Sequence, residues 1–268
     1  MKAVAMQDEK IIIIGGTGGL GLSAAKAFIR EGAKVVVVGR DPHHVQQAQK
    51  EIGQSGHAII GDATNELTAH NAIESCIKHF GGFTGLYHVA GGSGRKYGDG
   101  PLHELSLAGW EKTIALNLTS MMLSNRAAIE HFMLTGKGGA ILNMGSVLGY
   151  SPSPGFFTTH AYAAAKSAVI GFSRSIAAYY AKNNIRVNVI APALTDTPMA
   201  ERAVNNPDIL RFIQTKQPLD GGRAGIPEDV DGAAVFLLSK AARFITGQVL
   251  AVDGGWTVTE GQYQHTLA

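Results

Sequence analysis

Short, β-branched apolar runs separated by long stretches of helical composition constrain this sequence more than any other feature. The runs are apolar throughout, which is typical of strands buried on both faces of a parallel sheet and joined by right-handed helical crossovers. The sequence therefore predicts an α/β fold: a single doubly wound domain over residues 1–268, with a seven-stranded parallel sheet flanked by helices on both faces. The predicted strands cover residues 11–14, 35–38, 58–60, 86–89, 140–144, 186–190 and 248–252.

Prolines mark where two of the intervening helices begin. Asp41 before Pro42 is typical of an N-cap with proline at the first helical position, and Ile226 before Pro227 opens another helix in the same way. Two intervals fit no long helix: residues 91–101 are rich in glycine, and residues 194–225 carry three prolines. Because loops longer than about 12 to 15 residues are usually lids, binding loops or disordered, we expect residues 194–225, with some short helix inside, to form a substrate lid.

Composition and charge narrow the functional classes. The 23 basic and 21 acidic residues form no blocks and leave a net charge of +2, so we expect neither a nucleic-acid nor a membrane partner. Cys76 is the only cysteine, no residue cluster shows metal-ligand spacing, and no apolar run approaches the ~20 residues of a membrane span. The amino terminus is polar, and the apolar run after it is too short for a signal peptide. We expect a soluble cytoplasmic protein without a metal.

A glycine-rich turn joins the first predicted strand to the first helix. Glycines there permit a tight turn, close approach of a pyrophosphate to the backbone, and contact between helix and strand. The free N–H groups of the helix N-terminus then face the phosphate. A plain structural turn is the alternative, but the position between strand and helix favours a dinucleotide. The residues concerned are Gly15, Gly16, Thr17, Gly18, Gly19, Leu20 and Gly21.

The end of the second strand bears on which dinucleotide binds. NAD sites usually place an acid there for the ribose 2′-hydroxyl, but this chain has Gly39 followed by Arg40. A guanidinium suits a 2′-phosphate, so NADP(H) is favoured and NAD(H) remains possible; a solvated surface arginine is the alternative. Asp62, after the third strand, either accepts from the adenine amino group or begins the turn before the next helix.

A tyrosine and a lysine four residues apart form the candidate catalytic pair. Tyr162 and Lys166 lie in a segment of helical composition, where this spacing places them on one face. A nearby ammonium favours phenolate, which would lower the tyrosine pKa toward the range that acid-base catalysis requires. Read alone, the two are more often an ordinary surface pair. Ser146 gives them context, because it lies at the carboxyl end of the fifth strand, where open α/β sheets bind ligands.

Together these features resemble the short-chain dehydrogenase/reductase family, from residue 10 to about residue 256. The glycine loop is similar to the family's TGxxxGxG pattern, and Tyr162 and Lys166 match its YxxxK. Ser146 matches the serine that precedes this pair, and Asn117 matches an asparagine in the middle of the fourth crossover helix.

The resemblance implies a Rossmann-type fold and a division of labour. Tyr162 would exchange a proton with a carbonyl or alcohol substrate, and Lys166 would bind the nicotinamide ribose and lower the tyrosine pKa. Ser146 would orient the substrate oxygen, and Asn117 would hold a water in a proton relay. Relatives of this kind include 3-oxoacyl-carrier-protein reductases and sugar or polyol dehydrogenases, and they usually form homotetramers through the sheet edge and the helices that carry Asn117 and Tyr162. Further cofactor contacts are expected from Ala63, Ala90, Gly91, Pro192, Thr195 and Thr197, besides Tyr162 and Lys166.

Several positions depart from the family pattern. Ile14 replaces the threonine that usually opens the glycine loop, and residues 88–91 read HVAG where NNAG is usual, so two asparagines that tie strands together are absent. Ala193 replaces a glycine after Pro192. The interval between Ser146 and Tyr162 is longer than usual, and its extra residues are expected to line the substrate mouth.

Three aromatic or imidazole side chains remain. His160 is expected to pack in the loop or start the helix, with a second acid as the less favoured alternative. Trp256 and Tyr263 are expected to contact the lid or another subunit.

Two alternative functions share these motifs. A noncatalytic dinucleotide sensor or scaffold would usually lack the tyrosine or the lysine, and both are present. A nucleotide-sugar epimerase also uses YxxxK, but it normally carries a larger carboxyl-terminal domain, for which we expect no room after Val252.

Overall fold

The computed structural model describes residues 5–261, and seven parallel strands in this range form one sheet. Its order, β3-β2-β1-β4-β5-β6-β7, reverses direction between β1 and β4 and so opens a crevice at their carboxyl ends. The predicted fold is confirmed. The strands are β1 (Lys10–Ile14), β2 (Lys34–Gly39), β3 (Gly56–Ile60), β4 (Gly85–His88), β5 (Gly139–Met144), β6 (Ile185–Pro192) and β7 (Val249–Val252).

Helices cover both faces of the sheet. They are α1 (Gly19–Arg30), α2 (Pro42–Ile52), α3 (Leu67–Phe80), α4 (Leu107–Ile114), α5 (Ser120–Thr135), α6 (His160–Tyr180), α7 (Glu201–Val204), α8 (Pro207–Lys216) and α9 (Pro227–Leu238). Along β1, Ile11 and Ile13 pack with α1 and α9, whereas Ile12 and Ile14 pack with α3 and α5. This two-sided burial explains why the run is apolar throughout.

The two proline-marked helices begin where predicted, but by different means. The carboxylate of Asp41 accepts hydrogen bonds from the amides of His43 (2.8 Å) and His44 (3.1 Å), so it is the expected N-cap of α2. At α9, the carboxylate of Asp229 instead reaches back to the amide of Ile226 at 2.8 Å. Both arrangements satisfy amides that the first helical turn leaves free.

Most predicted strand boundaries differ from the structure by one or two residues, because β-branched composition marks the buried centre of a strand and not its ends. The strand predicted at 86–89 lies at Gly85–His88, so Val89 already belongs to the loop. The helix predicted around Asn117 is interrupted by a π-helical turn, Ala115–Thr119, between α4 and α5.

The segment 194–225 contains α7, α8 and two short 3₁₀ turns, as expected for a loop with some helix inside it. Ile209 and Ile213 of α8 are fully buried and pack in a cluster with Val147 and Trp256. Thr195 and Gly225 form a bridge that brings the ends of the segment together. The segment is therefore anchored at its base and by an apolar cluster.

Among the described helices, none combines the length and the apolar character that crossing a membrane would require.

Candidate active site

A cavity of about 1020 Å³ opens at the carboxyl ends of the strands, where the sheet order reverses. Of the predicted site residues, all but Gly16 and Gly21 line it. These two glycines serve packing: a Cβ at Gly16 would lie 2.8 Å from that of Val37, and one at Gly21 would collide with the carbonyl of Gly15. The structure thus brings the catalytic and cofactor candidates to one site.

The glycine loop leaves the N-terminus of α1 open toward the cavity. Gly15 has a φ of +86°, and a Cβ there would lie 2.6 Å from the amide of Ala90. Gly18 precedes the helix without a side-chain cap, and a Cβ added to it would meet no atom within 4 Å. Free amides, open space and no acidic residue in the first turn fit a pyrophosphate.

Gly39 and Thr17 explain why no acid ends β2. A Cβ at Gly39 would collide with the Thr17 hydroxyl, so a carboxylate at this position would require the threonine to move. The exposed Arg40 follows and lines the cavity. No carboxylate among residues 5–261 forms an ion pair with it.

Asp62 forms the turn that was one of its two predicted roles, and its position also allows the other, acceptance from the adenine amino group. One carboxylate oxygen accepts from the Thr64 amide (2.9 Å) and hydroxyl (2.8 Å), as expected of a turn residue. Burial raises the pKa of Asp62, but the Thr64 hydrogen bonds and the charge of Arg40 outweigh burial and lower it, so the group is ionised near neutral pH. Asp62 and Ala63 also line the cavity.

Tyr162, Ser146 and Lys166 lie together at the cavity. Ser146 lies two residues beyond β5, with its side chain beside the Tyr162 phenol, and it accepts from the Leu148 amide at 3.2 Å. The Lys166 Nζ is 5.5 Å from the centroid of the Tyr162 ring and donates to the Met144 carbonyl at 2.8 Å. The one hydrogen bond positions the ammonium and leaves two of its three donors for other partners.

The expected lowering of the tyrosine pKa is wrong for this structure. Burial raises the pKa of Tyr162, and the hydrogen bond with Ser146 only partly opposes that rise. Burial also lowers the pKa of Lys166 to about 8. Desolvation disfavours the charged form of both groups, and it exceeds the attraction between them that the sequence suggested.

Asn117 sits in the π-helical turn, with 1% of its surface exposed. Its amide nitrogen donates to the carbonyls of Gly92 (2.8 Å) and Thr113 (2.9 Å), and its oxygen accepts from the Gly92 amide at 3.1 Å. The side chain therefore fixes the loop after β4. These bonds occupy both amide protons, so any bound water would have to use the remaining lone pair or the backbone.

Asp99, which the sequence did not single out, holds the start of α6, the helix that carries Tyr162. It is 4% exposed, and its two carboxylate oxygens accept from the amides of Ala161 (2.9 Å) and Tyr162 (2.8 Å). A carboxylate from the glycine-rich loop 91–101 thus caps α6 in place of a local residue. No sequence signal marks it, because the helix it caps begins some 60 positions further along the chain.

His88 occupies the first position of the departing HVAG segment. Its Nδ1 lies 2.8 Å from the hydroxyl of Ser124 and its Nε2 lies 3.3 Å from that of Ser120, so it ties β4 to α5. Burial and the charge of Lys166 lower its pKa to about 3, which keeps the ring neutral. The missing asparagine is thus replaced by a different hydrogen-bonding group.

Pro192, the last residue of β6, and Thr195 and Thr197 beyond it line the cavity. The Thr195 hydroxyl donates to the Ala193 carbonyl and that of Thr197 donates to the Thr195 carbonyl, each at 3.4 Å. These long bonds fold the segment locally and leave both hydroxyls free to accept.

Aromatic side chains close the far end of the cavity. Trp256 and Phe157 line it, with ring centroids 5.5 Å apart, and Phe212 of α8 packs on Trp256 at 5.7 Å. Trp256 therefore contacts the lid segment, as expected. His160 is the exposed first residue of α6 and does not line the cavity, which agrees with a helix start. Tyr263 lies outside the described residues.

Arg95 and Arg202 are two further cavity residues that the sequence did not indicate. Arg95 follows β4 in a short 3₁₀ turn, and Arg202 lies on α7. Both donate to the Phe156 carbonyl, at 3.2 and 3.1 Å respectively.

The expectation that no residues show metal-ligand spacing needs one correction. Asp41, His43 and His44 bring potential ligand atoms within 4.8 Å of one another. All three are exposed, and the Asp41 carboxylate caps α2, so the cluster is accounted for by the helix start.

Comparisons with known proteins identify the family of the chain. A family model described as enoyl-(acyl carrier protein) reductase matches residues 15–257. The chain is 36% identical over 259 residues to 2-(S)-hydroxypropyl-CoM dehydrogenase 3 of Xanthobacter autotrophicus, covering 94% of this chain and 98% of that protein.

Two solved structures share the fold. A short-chain type dehydrogenase/reductase from Mycobacterium ulcerans has a TM-score of 0.85 and 30% identity, over 96% of this chain and 92% of that chain. A 3-ketoacyl-(acyl-carrier-protein) reductase from Brucella melitensis, complexed with NADH, has a TM-score of 0.83 and 28% identity, over 94% of this chain and all of that chain. The chain therefore belongs to the short-chain dehydrogenase/reductase family of nicotinamide-dependent oxidoreductases.

Proposed function

We propose that the protein reduces a carbonyl group, or oxidises the corresponding secondary alcohol, with Tyr162 as the general acid or base and NADP(H) as the preferred cofactor. The observation that carries the proposal is the placement of Tyr162, beside Ser146 and Lys166, in the cavity that also contains the open glycine loop. The substrate classes to be tested are ketones, 3-oxoacyl thioesters, sugars and polyols.

Each of the four predicted catalytic residues has its own role in the reaction. The Tyr162 phenol donates a proton to the carbonyl oxygen during reduction and takes one from the alcohol during oxidation. Ser146 holds the same oxygen by a hydrogen bond, and Lys166 uses its free donors on the ribose. The nicotinamide supplies or accepts the hydride when it is bound. Asn117 supports the proton path by fixing the loop that begins at Gly91, where an added Cβ would lie only 2.6 Å from the Asn117 side-chain oxygen.

We assign the cofactor contacts from the residues at the cavity. The amides of the glycine loop would receive the pyrophosphate, Asp62 and Ala63 would contact the adenine, and Ala90 and Gly91 would contact the central part of the dinucleotide; all but Gly16 and Gly21 of these residues line the cavity. Pro192, Thr195 and Thr197 would contact the nicotinamide carboxamide. Arg40 would bind the 2′-phosphate, and its lack of an ion-pair partner supports NADP(H) over NAD(H).

The first prediction tests enzyme class and cofactor together. The purified protein is assayed with NADPH and separately with NADH against the four substrate classes, followed by nicotinamide absorbance. We expect turnover with NADPH at lower KM, and we expect Arg40→Ala to raise the KM for NADPH about tenfold or more while changing that for NADH little.

Arg243→Ala is the matched control, because this exposed arginine lies outside the cavity lining. Equal effects of Arg40→Ala on both cofactors would contradict the NADP(H) preference. Binding of NADPH without turnover of any substrate would favour the sensor or scaffold alternative.

Assembly, lid and location complete the proposal. A homotetramer is supported by exposed apolar side chains on the helices that flank the site, Trp110 of α4 (37% exposed) and Tyr179 of α6 (65% exposed), and by Leu250 of the edge strand β7 (39% exposed).

Residues 194–225 act as the substrate lid of a single domain spanning 1–268. A cytoplasmic location is supported by the lone, buried Cys76.

A further inference from the structure

Two guanidinium groups converge on one carbonyl at the substrate end of the cavity. Arg95 comes from the loop after β4, Arg202 comes from α7 of the lid, and each donates through Nη2 to the carbonyl oxygen of Phe156. The two nitrogens therefore lie no more than two hydrogen-bond lengths apart. Each guanidinium carries five N–H donors, so a single shared acceptor leaves most of the donors unused.

Carboxylates offset these charges only in part, through Asp99 near Arg95. Among residues 5–261, neither arginine forms an ion pair with an acidic side chain. Asp99 is the acid near Arg95, but both of its oxygens are occupied by the amides of Ala161 and Tyr162. Burial and the charge of Arg202 lower the pKa of Arg95, and the charge of Asp99 opposes them only in part, so Arg95 is partly desolvated and is repelled by the exposed Arg202.

The position of the pair separates it from the cofactor phosphates. Acidic residues lining the cavity are Asp41 and Asp62, both near Arg40 at the adenosine end. Arg95 instead lies on the loop after β4. This loop begins beside Lys166, and Asp99 further along it accepts from the amide of Tyr162. The substrate end thus carries positive charge without acidic lining.

Apolar walls lie next to the pair. Val147, Phe157 and Trp256 line the cavity and belong to the cluster that packs against the lid. A ligand here meets apolar surface along its body and guanidinium groups at its end.

We propose that Arg95 and Arg202 form an anion subsite for the substrate, so that the protein acts on a carbonyl or secondary alcohol whose apolar body carries a carboxylate, sulfonate or phosphate group. The inference rests on the proposed function, because it names the substrate class of the same site. A bound anion would accept charge-assisted hydrogen bonds from both guanidiniums and relieve their repulsion. Since one arginine is on the lid, the anion would also link the lid to the loop after β4.

The test compares methyl ketones that end in a carboxylate with their primary amides. Levulinate and its longer homologues, which sample different distances between ketone and charge, are each assayed beside the matching amide with both nicotinamide cofactors. We expect kcat/KM for the best acid to exceed that of its amide about tenfold or more. Arg95→Gln and Arg202→Gln should each remove most of this ratio, and Arg→Lys at either position should retain part of it. Arg211→Gln on α8, an exposed arginine paired with Asp208 outside the cavity, is the control and should leave the ratio unchanged.

Binding gives a readout that does not depend on turnover. Hexanoate, hexanesulfonate, hexyl phosphate and hexanamide are titrated by calorimetry into the protein with its cofactor, and the relative affinities of the three anions identify the preferred group. Equal kcat/KM for acids and amides, or equal losses for both in the arginine variants, would overturn the subsite and leave the proposed function intact. Arginine-dependent binding of an anion without turnover of any ketone would support the subsite and contradict the proposed function. No turnover and no preference for the anions over hexanamide would overturn the subsite.

Discussion

Burial moves the pKa values of Tyr162 and Lys166 in opposite directions, and both shifts favour the neutral forms. A neutral phenol is the form that donates a proton to a carbonyl, so the arrangement suits reduction near neutral pH. Alcohol oxidation instead needs the phenolate as a base. The direction of the tyrosine shift therefore gives the two reactions opposite pH dependences.

We predict that kcat/KM for alcohol oxidation rises with pH from neutral into the alkaline range, because the raised pKa keeps the phenolate fraction of Tyr162 small near pH 7. Carbonyl reduction should be nearly constant near neutral pH and fall only as the phenol ionises. Initial rates in both directions across this pH range provide the measurement. An oxidation rate that is already constant from acidic pH upward would mean that the base has a low pKa, contrary to the burial of Tyr162.

For individual residues, the sequence was sufficient where the interacting side chains lie close together in the chain. The spacing of Tyr162 and Lys166 on one helix face was enough to find the pair. The sign of the tyrosine shift was missed, because desolvation depends on the elements packed around α6. Arg95 and Arg202 were missed for a similar reason: they lie in the two intervals without a periodic pattern, and only the fold brings both to the Phe156 carbonyl.

At the scale of elements, α6 is positioned by a cap from elsewhere in the chain. Asp99 accepts from the amides of Ala161 and Tyr162, so the proposed general acid or base itself belongs to the capped turn. The negative charge also complements the partial positive charge of a helix N-terminus. Asp41, by contrast, caps the helix that follows it directly, which is why sequence alone predicted that cap.

We predict that Asp99→Asn lowers both stability and kcat. An asparagine can accept from one amide but places an NH₂ group against the other, which should cost ~1 to 3 kcal/mol of unfolding free energy. Displacement of Tyr162 should lower kcat about tenfold or more, with less change in the KM for the nicotinamide cofactor. Thermal unfolding and steady-state kinetics measure the two effects.

Asp208→Asn is the control for Asp99→Asn, because Asp208 is an exposed residue of α8 outside the cavity. A destabilised Asp99→Asn enzyme with the parent kcat at a temperature where it is folded would show that Asp99 stabilises α6 without positioning Tyr162.

At the scale of the whole molecule, the sheet order determines where chemistry can occur. The reversal between β1 and β4 opens the crevice, and the loops after β1, β4, β5 and β6 supply its walls. The sequence predicted the strand number, the layers and this edge, because apolar runs and glycine positions are local signals. It could not predict the shape of the substrate end, which depends on contacts between the loop 91–101, the interval after Ser146 and the lid segment.

The Tyr162→Phe variant, measured for turnover and for cofactor binding on the same preparation, tests the role of Tyr162 most directly. We predict that kcat falls about a hundredfold or more, since the proton donor is lost, while the Kd for NADPH stays within about twofold. Tyr179→Phe, on the exposed face of the same helix, should leave both values unchanged. A Tyr162→Phe enzyme that turns over at the parent rate would contradict the assignment of Tyr162 as the general acid or base.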